Sequence, residues 1–159
     1  MTVTILKDVD LDDVIREMQR MLREGIASPA VRRLAEQVRS SDNEKTIRAV
    51  FDFVRNTFPY APDPYKFERF INPNRVAEDY YAGQIHSLDC DDFALLTAAI
   101  LGSIGYRVRI AILAIESNEF DHATAQVYFR GEWFSLDTSS KDTPMGWIES
   151  YNQAVFVDV

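Results

Sequence analysis

Cys90 is the only cysteine of this 159-residue chain. It sits where an acidic polar run, Asp89-Cys90-Asp91-Asp92, meets an apolar run from Phe93 to Leu101. The pattern puts a thiol at the mouth of a buried helix, where the first-turn N–H groups and the positive end of the dipole favour the thiolate, the form that attacks a carbonyl. The aspartates beside it oppose another negative charge, so the site calls for a cation, and an imidazolium is the usual one. His122 opens a strand-like segment downstream and Asp137 closes the next one. A cysteine, a base and an orienting carboxylate, in that order, make nucleophilic chemistry on an amide carbonyl the chemistry to test for.

Each residue has an ordinary explanation when taken alone. A lone cysteine is most often a small buried apolar side chain, a strand histidine a satisfied polar residue, and an aspartate at a strand end a turn former. The hairpin changes the balance. With a two-residue turn at Arg130-Gly131 or Gly131-Glu132, Asp137 falls opposite Thr124 or Gln126 and shares a sheet face with His122, whereas a three-residue loop would separate them. In the Arg130-Gly131 register Asp137 is diagonal to His122. The expectation is that the carboxylate accepts the Nδ1 proton and leaves Nε2 facing the sulfur.

Three amphipathic helices are expected in the first third. Val14, Ile15, Met18, Met21 and Leu22 recur at helical spacing from Asp10 to Glu24, with Gly25 as the stop. A second helix follows Ser28, with Pro29 at its first position and Val31, Leu34, Ala35 and Val38 on one face. The third opens with Ser41 and Glu44 at capping-box spacing and turns Ile47, Val50, Phe51, Val54 and Phe58 inward. Pro59, Pro62, Pro64 and Pro73, interleaved with Tyr60, Tyr65, Phe67 and Phe70, predict an ordered loop pinned by aromatics, then a short helix from Asn74 to Tyr81. After the Cys90 helix, strands are expected over Tyr106 to Ile112, Asp121 to Phe129 and Glu132 to Asp137, with a fourth from Ala154 to Val157. Helices followed by antiparallel strands make an α+β domain. A single domain over 1–159 is expected, with a helical part (1–58), a proline and aromatic loop with a short helix (59–83), and a part carrying the cysteine helix and the sheet (84–159).

These blocks resemble the transglutaminase-like superfamily, a papain-like group of cysteine acyl-transfer enzymes with small bacterial and phage-associated members. The resemblance rests on Asp89-Cys90-Asp91-Asp92-Phe93-Ala94-Leu95-Leu96, Asp121-His122-Ala123 and Gly131-Glu132-Trp133-Phe134-Ser135-Leu136-Asp137, with Tyr60-Ala61-Pro62-Asp63-Pro64 upstream. It implies a nucleophilic Cys90, a base at His122 and an orienting Asp137, and a cysteine-bearing helix packed on an antiparallel sheet. Three positions depart from the family habit: Leu88 where glycine is common, Thr124 where an aromatic is common, and Thr138 where proline is common.

Further candidates surround these three. Gln84, six residues before Cys90, has the spacing of a papain-like oxyanion glutamine, beside the backbone N–H of Cys90. Tyr60 and Tyr65 are candidate cleft walls, and Trp133, with Tyr128, is either hairpin packing or a substrate platform. His86 is an alternative base. Asp91 and Asp92 suit a helix N-terminus by charge, and the resemblance, in which an acidic residue is common at the position of Asp92, implies a structural contact from it to the neighbouring loop.

The bulk composition narrows the partners. The chain is 47% hydrophobic with net charge −8. Residues 1–80 are nearly balanced, whereas residues 81–159 carry 4 basic against 11 acidic side chains, a net of −7. Such a field disfavours nucleic acid and anionic membranes. No run approaches the roughly 18 apolar residues of a membrane span, the first residues lack the order of a signal peptide, and a lone cysteine suits a reducing compartment, so a cytoplasmic protein is expected. Neither a zinc set nor a calcium loop can be read from the spacing of Cys, His and acidic residues, so no metal or other cofactor is expected. The expected partner is a peptide or protein substrate, attacked through a thioester at an amide bond by a cysteine peptidase or amidase. Cross-linking transglutaminase chemistry is the alternative. Arylamine acetyl transfer ranks below both, and a binding module with a vestigial triad is the reading outside enzymes.

Overall fold

The computed structural model describes residues 3–7, 10–62 and 67–159. Among these the elements run β1 (Val3–Lys7), α1 (Leu11–Ile26), α2 (Pro29–Val38), α3 (Asn43–Thr57), β2 (Phe67–Ile71), α4 (Pro73–Tyr81), α5 (Cys90–Ser103), β3 (Val108–Ala114), β4 (His122–Phe129), β5 (Glu132–Leu136) and β6 (Gln153–Asp158). Helix starts follow local chemistry. Asp10 caps α1 by accepting from the Asp13 N–H at 2.9 Å, and Ser28 caps α2 with Pro29 at its first turn. For α3 the cap is Asp42, which accepts from Lys45 N–H at 3.0 Å, and not Ser41 as expected. Serine and aspartate are near-equal caps, so adjacent candidates were bound to compete.

Helix α5 is apolar on every side and every residue from Asp91 to Leu101 is buried. A helix of that kind belongs in the middle of a fold. The other helices cover one side of it and the sheet the other, and each of Leu95, Leu96, Ile100 and Leu101 contributes about 1.5–3 kcal/mol of burial. Helix α1 approaches closely through Gly25, where a Cβ would stand 2.8 Å from Ala99 Cβ and 3.0 Å from Pro73 Cβ. No helix among the described residues is long and apolar enough to cross a membrane.

The main sheet is antiparallel with order β5-β4-β3-β6. Its inner face, including Ile110, Ile112, Ala123, Ala125, Val127, Leu136 and Val157, joins the core against α5. Helices and an antiparallel four-stranded sheet confirm the α+β class. One part of the expectation is corrected. The end of the proline and aromatic stretch is not a loop: Phe67–Ile71 pairs antiparallel with Val3–Lys7, with Val3 opposite Ile71 and Lys7 opposite Phe67. The Ile71 N–H then donates to Asp92 Oδ1 at 2.9 Å, tying the end of β2 to the start of α5.

Candidate active site

Cys90 is the first residue of α5 and is half-buried. Two carboxylates fix this end of the helix: Asp89 Oδ1 accepts from the Asp92 N–H at 3.0 Å, and Asp92 Oδ2 accepts from the Asp89 N–H at 3.3 Å. This reciprocal box locks the first turn and so the thiol's position. The preceding residue, Leu88, is stitched to the Tyr60 segment, donating its N–H to Pro59 O and accepting from Ala61 N–H, both at 2.9 Å. Tyr60 is thereby held beside the helix start. A cleft of about 450 Å³ opens there, lined by Cys90, His122, Tyr60, Pro62, Ile112 and Phe120 among others.

The hairpin turn is the two-residue Arg130-Gly131, with Phe129 opposite Glu132, and both turn residues have positive φ (53° and 82°). That is the twist a tight hairpin requires. The ladder runs to Ala125 opposite Leu136, which places Asp137 on the His122 face. The contact is made: His122 Nε2 and Asp137 Oδ2 are 2.8 Å apart. The expected ring orientation is corrected, since Nε2 rather than Nδ1 meets the carboxylate. Nδ1 is the remaining ring nitrogen. Pairing register fixes which face a side chain takes but not the rotation of its ring.

Asp137 is held from several directions. Its Oδ1 accepts from the Ser139 N–H at 3.1 Å and the Ser139 hydroxyl at 2.6 Å. Its backbone carbonyl accepts from the Arg55 guanidinium at 3.3 Å, and the same guanidinium nitrogen donates to Thr143 O. Thr138 shares a 2.9 Å hydrogen bond with Thr97 of α5, binding the Asp137 strand end to the cysteine helix. Serine two residues after aspartate is a recognisable turn pattern, so Ser139 was findable. Arg55 lies 82 residues from Asp137 and carries no comparable signal.

Burial of His122 works against its charged form, but the hydrogen bond and charge of Asp137, with Glu149 and Asp121 nearby, outweigh it and raise the ring pKa above its ordinary 6.5. Burial likewise opposes the Asp137 carboxylate, and the bonds from His122 and Ser139 more than offset it, so its pKa is lowered. The ion pair therefore stabilises the fold most between these limits. The His122 share is complete below about 6.5 and fades as pH rises through the raised folded-state value, and the Asp137 share fades as pH falls through its lowered value. In an NMR titration the His122 ring should show a midpoint above 6.5 that drops when Asp137→Ala removes the partner. An unchanged midpoint would mean the pair is not coupled.

The model of the transglutaminase-like domain matches residues 29–157. The chain belongs to the transglutaminase-like family. No curated protein matches it. Its fold is similar to that of a candidate protease from Parabacteroides distasonis, with TM-score 0.52 and 13% identity over 75% of this chain and 25% of that one. A candidate cysteine protease from Cytophaga hutchinsonii gives TM-score 0.45 and 15% identity over 86% and 49%, and a TGase gives 0.46 and 17% over 91% and 37%. This transglutaminase-like chain thus spans between a quarter and a half of the length of those structures. At 13% identity the first of these likenesses is one of fold, the transglutaminase-like or papain-like arrangement.

Other candidates of the transglutaminase-like chain fall elsewhere. Gln84 is exposed just after Gly83, donates its backbone N–H to Asp79 O at 2.8 Å, and does not line the cleft. His86 is committed to Asp79, with Nε2 2.6 Å from Oδ2, and the same oxygen accepts from Arg75 Nε at 2.6 Å. Trp133 packs on Tyr128 of the hairpin, ring centroids 5.3 Å apart, beneath the Arg109 guanidinium. Tyr65 lies outside the described residues.

Proposed function

We propose that the chain is a cysteine-dependent acyl-transfer enzyme acting on amide bonds of peptides or proteins, with Cys90 as nucleophile, His122 as base and Asp137 as orienter. What supports this reading is the single cleft that Cys90 and His122 both line, with Asp137 bonded to the imidazole on its other side. The Cys90 proton passes to His122 Nδ1, and sulfur bonds to the carbonyl carbon. The backbone N–H of Cys90 at the start of α5 is placed to stabilise the oxyanion. Collapse breaks the C–N bond, the imidazolium returns its proton to the departing amine, and a thioester remains. Water, activated by the neutral ring, then releases the acid and restores the thiol. Asp137 holds Nε2–H throughout, keeping Nδ1 available. Exposed Gln84 has no assigned part.

Hydrolysis is the leading outcome, because the cleft that Cys90 and His122 line is open to water. A reducing compartment such as the cytoplasm would keep the thiol ready. The test is incubation with a peptide library and a primary amine, read by mass spectrometry. Cleavage or deamidation that disappears with Cys90→Ala is the expected result, and amine incorporation would instead indicate cross-linking. Products no more abundant than those of Cys90→Ala would leave a non-catalytic binding module.

A further inference from the structure

We infer that this cleft selects substrates carrying a positively charged side chain next to the amide under attack, and that Glu119 and Asp121 are its main specificity determinants. The inference rests on the reading above for its chemistry, while the charge selection itself can be read without turnover.

The carboxylates do not form a site of their own; the site is the cleft that holds Cys90 and His122. Its lining takes acids from three separate parts of the chain: Asp10 at the start of α1, Asp89 and Asp91 at the start of α5, and Glu119 and Asp121 in the loop leading into β4. No lysine or arginine is among the described lining residues. The hydrogen bonds to Asp10 and Asp121 come from neutral backbone N–H groups, those of Asp13 and Ile115 (3.2 Å), and such donors leave the charge in place. Among the described residues no ion pair engages Asp10, Glu119 or Asp121. Asp121 is adjacent to His122 and contributes to the raised ring pKa, so its field reaches the reacting groups.

Among the described residues no group of three or more His, Cys, Asp or Glu could hold a metal ion. A mobile ammonium or guanidinium on a peptide matches the exposed carboxylates of Asp10, Glu119 and Asp121 at this cleft. A cleft lined by one sign of charge concentrates opposite charges and raises encounter rates by about 10–10³-fold, and it repels substrates of its own sign. The acids at the loop are exposed, so the preference should weaken with salt.

Because Cys90 is the sole thiol, its modification reports the cleft directly. Two methanethiosulfonates, one bearing a trimethylammonium and one a sulfonate, are compared at low ionic strength, with each rate divided by that for a small free thiol and iodoacetamide as neutral control. The cationic reagent should react at least tenfold faster, the ratio falling towards one in 1 M salt and severalfold in the Glu119→Gln/Asp121→Asn double variant. A ratio near one, or one the double variant leaves alone, overturns the inference. In parallel, peptides differing only by Arg or Glu beside the scissile amide are compared; arginine is chosen because its guanidinium is no acyl acceptor. Turnover without an Arg preference defeats the inference and keeps the enzyme. Cation-selective labelling with no turnover of any peptide defeats the enzyme and leaves a cleft for cationic ligands.

Discussion

Replacing His122 by alanine should slow amide turnover by about 10²–10⁴-fold, the range that a positioned acid–base residue supplies. The reasoning starts from the thiol. An ordinary cysteine has a pKa near 8.5 and is only a few per cent ionised at neutral pH. The start of α5 favours the thiolate, but Asp89 and Asp91 flank it in sequence and share its cleft, and they push the other way. The imidazolium, held charged by Asp137, is a group that can tip that balance. Without it the reaction of Cys90 with iodoacetamide at pH 7 should also fall, by roughly tenfold or more, as the thiolate fraction drops towards that of an ordinary cysteine. His122 stands at the first position of β4, at a partly exposed strand end, so the variant should keep its far-ultraviolet circular dichroism and melting temperature within a few degrees. Unchanged alkylation in a folded variant would remove the base from the mechanism.

The largest loss of stability is expected from Asp92→Ala. Asp92 is 1% exposed and its two carboxylate oxygens serve two separate backbone groups, the N–H of Ile71 and that of Asp89. Alanine would strand both donors in a region sealed from water. At about 1–3 kcal/mol for each unsatisfied buried group, the expected cost is about 3 kcal/mol or more, near 10 °C in melting temperature for a chain of this size. Asp92→Asn keeps one acceptor and should recover about half of that loss. Urea unfolding of the three proteins measures this, and equal midpoints would show that the carboxylate has no structural part.

The elements that were legible in the sequence are those whose signals are local. The amphipathic spacing of α1 and α2, the apolar run of α5 and the Arg130-Gly131 turn each carry their information within a few residues, and the turn alone set the face shared by His122 and Asp137. The β1–β2 pair was not legible: its strands are five residues long and at least 60 residues apart, and the second lies in a stretch whose prolines argue for a loop. Position along the chain also misled. Gln84 precedes Cys90 at a suggestive distance, yet the turn at Gly83 (φ 89°) leaves it exposed outside the cleft. Thr138, a departure from the family habit, proves to have its own use, since its hydroxyl reaches Thr97 where a proline ring has nothing to donate.

The grip of Arg55 on the carbonyls of Asp137 and Thr143 ties the end of β5 to a helix far back in the sequence. The β4–β5 hairpin and Ser139 are neighbours in sequence and can assemble early, whereas the backbone from Asp137 to Thr143 is fastened only when Arg55 of α3 arrives from 82 residues away. Closure of the Asp137–Thr143 segment onto α3 is thus a contact of long sequence separation, formed after the local hairpin that it secures.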